Sequence, residues 1–179
     1  SAQKKFTNEN DFLKSLNMVS SIESFNKFNI PRVAQLSQRS NQFNLRTIRY
    51  SEEDIKQISV SKDYFSFTYN LSDKFGEHGL ICVVILKKQS SKALFIDTWL
   101  MSCRVLKRGM EKFVLNHIVG FSKIKNYELI IGEHIQTDKN NIVKDHYSDL
   151  GFYKNNSDWI LSLDSYKKLT TYIKTKNHE

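Results

Sequence analysis

Apolar residues repeat along this chain with two different periods, and the change between them separates predicted helices from predicted strands. Between residues 9 and 28 the apolar positions have helix-like spacing, which predicts an amphipathic helix or a pair of helical turns. Pro31 stands where a first-turn proline is tolerated, so a second helix is predicted over residues 32–43. That segment holds many amides and few apolar residues, so it either faces solvent or lines a polar cleft.

The middle of the chain is dominated by strand patterns. Four strands are predicted, over residues 46–50, 63–71, 79–87 and 93–102. A short helix opens at Ser51, because three acids follow it in the first turn. A hairpin loop that contains two glycines is predicted over residues 73–79.

The last third of the chain alternates helices with strands. We expect a helix that stops at Gly120, followed by a strand, a helix and a strand, over residues 109–119, 127–132, 139–149 and 159–163. The resulting order, α-α-β-α-β-β-β-α-β-α-β, implies an α/β (α+β) domain with one mixed sheet and helices on both faces. The predicted domain spans residues 9–165. Residues 1–8 are expected to be a flexible start that looks like a tag remnant, and residues 166–179 a polar, helical tail.

The number and spacing of cysteines and histidines indicate the cellular compartment and whether a metal site is expected. Cys82 and Cys103 provide neither a disulfide framework nor a metal cluster, and the histidines show no metal spacing, so we expect a cytoplasmic protein without a metal. No window is long and apolar enough to cross a bilayer, so no membrane partner is expected. Nucleic acid is not expected either, because zinc-finger spacing and an arginine-rich arm are absent.

The net charge of +8 is unevenly distributed. Seven cations lie between Lys87 and Lys112, against the two acids Asp97 and Glu111. This basic segment could attract an acidic ligand or an acidic partner protein, or it could be a solvated surface that keeps the chain soluble.

The centre of the basic segment is a predicted junction between a strand and a helix. Arg104, Lys107 and Arg108 precede Gly109, which begins the helix. Unpaired amides and the positive end of a helix dipole suit a phosphate, and glycine lets the backbone approach it closely. An ordinary strand-to-helix connection would use the same residue types, so both interpretations stay open.

Four other side chains could carry chemistry. Asp97 lies inside a hydrophobic strand, so it lines a cleft or pairs with a cation. Cys103, beside Arg104 and a helix start, is a reactive thiol or a small buried filler. Tyr147 could protonate a departing thiolate or pack on the sheet, and His134 follows a strand and could act as a base.

Two segments resemble those of GCN5-related N-acetyltransferases (GNATs). Arg104-x-x-Lys107-x-Gly109 resembles the acetyl-CoA-binding signature, normally Gln/Arg-x-x-Gly-x-Gly/Ala, although Lys107 stands where the first glycine is usual. Residues 140–152 are similar to a later helix with a tyrosine one turn before Leu-Gly-Phe. The resemblance implies a mostly antiparallel GNAT-like sheet, a loop that holds the pyrophosphate of CoA or acyl-CoA, and a proton donor at Tyr147.

Longer blocks resemble the C-terminal half of FkbH-like proteins. They lie at residues 32–50, 74–80, 95–104 and 143–152. Such proteins join a phosphatase half of the haloacid-dehalogenase (HAD) type to a GNAT-like half, and some load a glyceryl unit onto an acyl carrier protein. The resemblance implies an acyl carrier protein as partner, with its phosphopantetheine in place of CoA, and a covalently linked HAD-type phosphatase domain outside this sequence.

Residues and resemblances together give three sets of candidate site residues. The catalytic set is Tyr147, Cys103 and Asp97. The cofactor-binding set is Arg104, Lys107, Arg108, Gly109, Met110 and Asn140. The substrate-binding set, on the acceptor side of the cleft, is Gln35, Gln38, Asn41, Gln42, Asn44, Arg49 and His134. We therefore expect an acyltransferase that handles a phosphopantetheine thioester. The alternatives are a non-catalytic docking module for the phosphatase half and a regulatory binder of a small ligand.

Overall fold

The computed structural model describes residues 8–176, so residues 1–7 of the predicted start and 177–179 of the predicted tail lie outside it. The helices are α1 Glu9–Ser15, α2 Ile30–Arg39, α3 Glu52–Val60, α4 Met110–Ile124 and α5 His146–Asp149. The strands are β1 Met18–Ser20, β2 Ile22–Glu23, β3 Tyr64–Asp73, β4 Gly76–Lys88, β5 Ala93–Met101, β6 Leu129–Gly132, β7 Tyr153–Asn155, β8 Asp158–Ser162 and β9 Ile173–Thr175. Short 3₁₀ turns cover Cys103–Val105 and Asn141–Val143.

The strands form one mixed sheet in the order β7-β8-β6-β5-β4-β3-β1-β9, with β2 beside β3. Neighbouring strands are antiparallel except for two pairs, β5 with β6 and β1 with β9. Because α4 connects the parallel strands β5 and β6, this part of the chain is a β-α-β unit. None of the helices within residues 8–176 is long and apolar enough to span a bilayer.

Strand β4 carries the core on both of its faces, because all of Ile81–Leu86 is buried. Cys82 and Val84 belong to the larger apolar cluster, which includes α4, whereas Val83 and Ile85 pack with α2 and α3. Alternate side chains of one strand therefore anchor helices to opposite faces of the sheet. Each fully buried aliphatic side chain contributes roughly 1.5–3 kcal/mol. The predicted class, a mixed sheet with helices on both faces, is confirmed.

The first predicted helix, over residues 9–28, is wrong in its extent. The helix ends at Ser15, because Asn17 takes a left-handed φ of 52° and turns the chain into β1. β1 and β2 then pair with β3, so Val19 and Ile22, which continued the helical period, are strand residues. Here the pairing of strands across the sheet, and not the local apolar period, determines the secondary structure.

The connection between α2 and α3 also differs from the prediction. The helix predicted to reach residue 43 ends at Arg39, and the strand predicted over residues 46–50 does not form. The Ser37 hydroxyl donates to the Ile48 carbonyl at 3.1 Å and accepts from the Tyr50 amide at 2.9 Å. A side chain of α2 thus takes the backbone groups that a strand would have used.

Three predictions in the second half need correction. Helix α4 runs through Gly120 to Ile124, since burial of Ile118 and Val119 outweighs the cost of about 1 kcal/mol for a helical glycine. The helix predicted over 139–149 is a 3₁₀ turn followed by the single turn of α5. The predicted helical tail is extended instead, and β9 pairs in parallel with β1 because Ile173 is buried there.

Two histidines, His146 in the core and the partly buried His117, make the stability of the fold depend on pH. Burial lowers the pKa of His117 to about 4, and burial together with the nearby His134 lowers the pKa of His146 to about 3. Unfolded histidine titrates near 6.5, so below that pH the unfolded state binds more protons and stability falls as the pH drops toward 4. We predict a loss of about 2 kcal/mol per histidine between pH 7.5 and pH 5, measured by denaturant unfolding.

The His146→Phe variant separates this effect from other acid effects. It removes one titrating group, so its free energy of unfolding should fall by about 2 kcal/mol less than that of the wild type over the same pH interval. Equal losses in the two proteins would contradict the assignment of His146 as a neutral core residue.

Candidate active site

Strands β5 and β6 run side by side for only a short distance. Ala93–Phe95 pair in parallel with Leu129–Ile131, and the strands diverge beyond these residues. On its other side β5 bulges at Asp97, which has no partner in the register with β4. The C-terminal half of β5 therefore has one edge that β6 does not cover.

The chain fills this opening with its own backbone. We call Phe43–Leu45 the wedge segment, because it bridges antiparallel to the free edge of β5. Its last amide donates to the Trp99 carbonyl at 3.2 Å, and the Met101 amide donates to its first carbonyl at 3.0 Å. On the side of β6, the Ile135 amide donates to the last carbonyl of the segment at 2.9 Å. The wedge segment thus satisfies backbone groups that the divergence would leave unpaired.

Asn140 holds the wedge segment in place. Its side-chain nitrogen donates to the carbonyls of Asn44 at 3.0 Å and Ile135 at 2.9 Å, and its oxygen accepts from the Thr137 amide at 2.8 Å. The residue is fully buried. Asn140 was predicted to bind the cofactor, and in this conformation its side chain is occupied by the chain itself.

Arg46 ties the two diverging strands together. Its Nη1 donates to the Asp97 carbonyl at 2.9 Å and to one Asp97 carboxylate oxygen at 3.4 Å, and its Nε donates to Glu133 at 3.0 Å. The other carboxylate oxygen accepts from the Tyr50 hydroxyl at 2.8 Å and from Thr98 at 2.9 Å. Burial, followed by the charge of Asp97, raises the pKa of Tyr50, so this phenol stays a donor. Asp97 therefore pairs with a cation, one of its two predicted roles.

Tyr147 is buried among aromatic side chains near the wedge segment. Its ring contacts Trp99, His146 and Phe152, and only 1% of the residue is exposed. Within residues 8–176 its hydroxyl has no hydrogen-bond partner. Burial raises the pKa of Tyr147, more than any nearby charge changes it, so the hydroxyl keeps its proton near neutral pH. Tyr147, the predicted proton donor, is therefore protonated, but its hydroxyl is buried in this structure.

An open cleft of about 730 Å³ lies between α2 and the end of β5. Cys103 lines it together with Asn41 and Gln42, and the exposed Cys103 thiol donates to Gln42 Oε1 at 3.2 Å. The cleft therefore joins one member of the catalytic set to two of the substrate set, whereas Tyr147 and Asp97 do not line it. Three cations also line the cleft: Arg32, Arg39 and Lys139.

The basic loop, residues 102–109, leads from β5 into α4. Lys107 and Gly109 take left-handed φ values of 65° and 81°. Within the described chain, the amides of Lys107, Arg108 and Gly109 donate no hydrogen bond. Free amides beside the positive end of a helix dipole are suited to bind an anion.

Arg104 of the basic loop reaches the hairpin of β3 and β4. Arg104 donates to the Ser102 hydroxyl and to the His78 carbonyl, each at 3.2 Å. Burial opposes the ionisation of Asp73, but hydrogen bonds, including one from His78, and the charges of His78 and Arg108 lower its pKa overall. Arg104 therefore contacts this hairpin, and the charge of Arg108 acts on the same hairpin through Asp73.

The remaining candidates lie outside the cleft. Three of them bind backbone groups between α2 and α3: Gln38, Asn44 and Arg49. Gln35 is exposed on α2, and its side-chain oxygen accepts from Arg32. His134 is half-buried, and its Nε2 has no partner within residues 8–176. The side chain of Met110 is buried in the core. The predicted sets therefore do not converge on one cavity.

Two charged residues at the centre of the site, Arg46 and Glu133, belong to none of the predicted sets. Glu133 directly follows β6. Ligands of α/β sheets bind at the carboxyl ends of parallel strands, so the position of Glu133 in the sequence could have identified it as a site residue. Arg46 carried no local signal, because its role depends on the divergence of two distant strands.

Known proteins resemble this chain in fold but not in sequence. No protein-family model matches the chain, and no curated protein matches it significantly. The ribosomal-protein-S18-alanine N-acetyltransferase from Escherichia coli is 14% identical, with a TM-score of 0.60 over 81% of this chain and 94% of that chain. The spermidine N-acetyltransferase from Vibrio cholerae, solved in complex with CoA and spermine, is 12% identical, with a TM-score of 0.63 over 81% of this chain and 96% of that chain.

A third solved structure, the GNAT domain of S. lividans PAT, is 12% identical, with a TM-score of 0.61 over 79% of this chain and 89% of that chain. Identities this low speak for the fold alone. The chain therefore has the GNAT fold, as its resemblance to the GNAT signature implied.

Gly132 lets the ring of Tyr147 lie against the end of β6. A Cβ at this position would meet the ring Cζ at 2.5 Å. We predict that Gly132→Ala lowers the free energy of unfolding by about 2–3 kcal/mol, because a full core does not accept the added methyl. Gly120→Ala is the matched control. A Cβ at this position in α4 would meet no atom within 4 Å, so the change should raise the free energy of unfolding by about 0.5–1 kcal/mol. Denaturant unfolding measures both, and a neutral Gly132→Ala would disprove the close packing.

The hydrogen bonds of the Asn140 side chain to the wedge segment and to Ile135, here called the Asn140 clasp, can be tested in the same way. Asn140→Ala leaves two buried carbonyls without their donor, so we predict a loss of about 2–4 kcal/mol. Asn141→Ala is the control, because the neighbouring Asn141 is exposed and its side chain makes no hydrogen bond in the described structure. Faster proteolysis near residues 40–47 should accompany the first change only. Similar behaviour of the two variants would rule out the clasp.

Proposed function

We propose that this domain is a GNAT-type acyltransferase that handles a phosphopantetheine thioester, carried by CoA or by an acyl carrier protein, and transfers a small acyl group such as an acetyl or a glyceryl-like group. The observation that carries the proposal is the basic loop, in which three amides without a hydrogen-bond partner in the described chain precede α4 and the cations Arg104 and Arg108 belong to the same eight residues. The fold supports it, since a spermidine N-acetyltransferase of this fold was solved in complex with CoA.

In this proposal the basic loop binds the phosphate end of the pantetheine arm. The amides from Lys107 to Gly109 donate to phosphate oxygens, and the dipole of α4 favours the negative charge. Arg104 and Arg108 add charge-assisted hydrogen bonds. Lys107 contributes a further cation where the GNAT signature usually has glycine.

The acyl group would meet the open cleft. Cys103 is best placed to contact it, because this thiol is exposed at the beginning of the basic loop, whereas both carboxylate oxygens of Asp97 are already bound. Tyr147 would donate its proton to the departing thiolate. The wedge segment would have to move for this step, because the Tyr147 hydroxyl is enclosed.

The partners we propose follow the FkbH-like blocks. An acyl carrier protein would supply the thioester, and a covalently linked HAD-type phosphatase domain would supply the acyl donor. Two of the blocks, residues 32–50 and 95–104, contain the wedge segment, Arg46 and Asp97, so the resemblance falls on the parts that build the site. An acidic carrier surface would complement the basic segment.

A non-catalytic docking module is the second candidate. The observation that favours it is the enclosed hydroxyl of Tyr147, together with the wedge segment, whose backbone is hydrogen-bonded both to β5 and to Ile135 after β6. If the segment never moves, the basic loop can still bind a carrier protein, but no proton reaches the thiolate from Tyr147.

Ligand binding tests the proposal directly. CoA, acetyl-CoA and holo acyl carrier protein are added separately to the chain, and thermal unfolding is followed. We predict that at least one of them raises the melting temperature. Arg104→Ala should weaken its binding about tenfold, because a charge-assisted hydrogen bond contributes roughly 1.5–3 kcal/mol. Lys62→Ala, an exposed lysine after α3, removes one charge elsewhere and should leave binding unchanged. If no ligand shifts the melting temperature, the proposal fails.

A transfer assay then separates catalysis from docking. Tyr147→Phe and Cys103→Ser are compared in a protein that carries both halves. Slower acyl transfer with intact carrier binding supports the acyltransferase. Full transfer in both variants, with carrier binding lost only in Arg104→Ala, supports the docking module.

A further inference from the structure

The end of the described chain forms a strap across α4. The C-terminal strap, residues 166–176, is clasped by one side chain, Asn116. Its nitrogen donates to the Leu169 carbonyl at 2.9 Å, and its oxygen accepts from the Leu169 amide at 2.8 Å and from the Tyr166 hydroxyl. β9 then pairs with β1, so both ends of the strap are fixed.

A cavity of about 650 Å³ lies between the C-terminal strap and α4. This volume is in the range that holds a small ligand or a nucleoside. Phe113 and Ile173 give it an apolar floor, while Lys168, Lys174 and three threonines line the rest. No carboxylate lines the cavity, and within residues 8–176 neither lysine forms an ion pair. Its uncompensated charge suits an anion.

The cavity lies close to the basic loop. Gly109 precedes Phe113 by four residues and Asn116 by seven, so the three lie on one face of the chain at the start of α4. A Cβ on Gly109 would come within 3.9 Å of the Thr171 hydroxyl, which places the strap against the end of the loop. The loop and the strap cavity are therefore neighbours, since Thr171 also lines the cavity.

The wall of the cavity on the α4 side is electrically neutral. His117 hydrogen-bonds to the buried hydroxyl of Tyr69 at 2.7 Å, and burial lowers the pKa of His117 to about 4. At neutral pH the positive charge of the cavity therefore comes from Lys168 and Lys174 alone.

We propose that the strap cavity is a second phosphate subsite, in which Lys168 and Lys174 bind the 3′-phosphate of CoA while its diphosphate occupies the basic loop. The inference rests on the proposed function and deepens it by naming the thioester carrier. CoA has a diphosphate and a separate ribose phosphate, with a neutral sugar between them. The pantetheine arm of a carrier protein has a single phosphodiester and no nucleotide, so it cannot use the second subsite.

Dephospho-CoA, which lacks only the 3′-phosphate, is the probe that tests this subsite. Calorimetry on the intact chain should show CoA binding about tenfold more tightly than dephospho-CoA. The double variant Lys168→Ala/Lys174→Ala should bind CoA only as well as dephospho-CoA, with its affinity for dephospho-CoA unchanged. The matched control is Lys62→Ala/Lys123→Ala, which removes the same charge from two exposed lysines outside the cavity and should keep the tenfold preference.

The possible outcomes separate this inference from the proposed function. Equal affinities of CoA and dephospho-CoA for the wild type would overturn the second subsite and leave the basic-loop site standing. Binding of holo carrier protein without binding of CoA would overturn the subsite and keep the carrier form of the function. Binding of neither would overturn both. Melting curves of the double variant establish that it is folded, so that a lost preference reports on the lysines themselves.

Discussion

The structure depends on one backbone constraint: β5 and β6 part after three residue pairs, and the free edge of β5 must find hydrogen bonds. The wedge segment supplies them, and its position decides where its neighbours lie. Arg46 follows it immediately and reaches both Asp97 and Glu133. Asn140 closes the other side. The charged centre of the site is thus a consequence of filling the opening between two strands.

The site contains two different electrostatic environments. On one side, the basic loop presents free amides and arginines to solvent. On the other, Tyr147 and His146 are buried among aromatic rings, and burial keeps both in their neutral forms. Under the proposed function, anion binding would take place at the exposed loop and proton donation at the buried tyrosine. A single ligand can use both only if it enters past the wedge segment or displaces it.

The sequence predicted most securely the elements that local pattern alone decides. The apolar runs of β4 and β5 and the glycine before α4 are visible in any short window. What it missed depends on partners far away in the chain. The strap contains few apolar residues, yet it forms β9 because β1 offers an edge and Asn116 holds Leu169. The link between Arg46 and Asp97 could not be foreseen, since no local pattern reveals where β5 will bulge.

Lys107 stands where the GNAT signature usually has glycine, so it adds a charge to the loop. A glycine could adopt left-handed backbone at this position at no steric cost. Lys107 adopts the same region, with a φ of 65°, although this costs a side-chain-bearing residue about 1–2 kcal/mol. Gly109 has a φ of 81°, so two residues in left-handed conformation flank Arg108, an arrangement in which successive amides can face one anion. At this junction Lys107 therefore adds a cation beside three amides that have no hydrogen-bond partner in the described chain, an arrangement suited to the proposed phosphate.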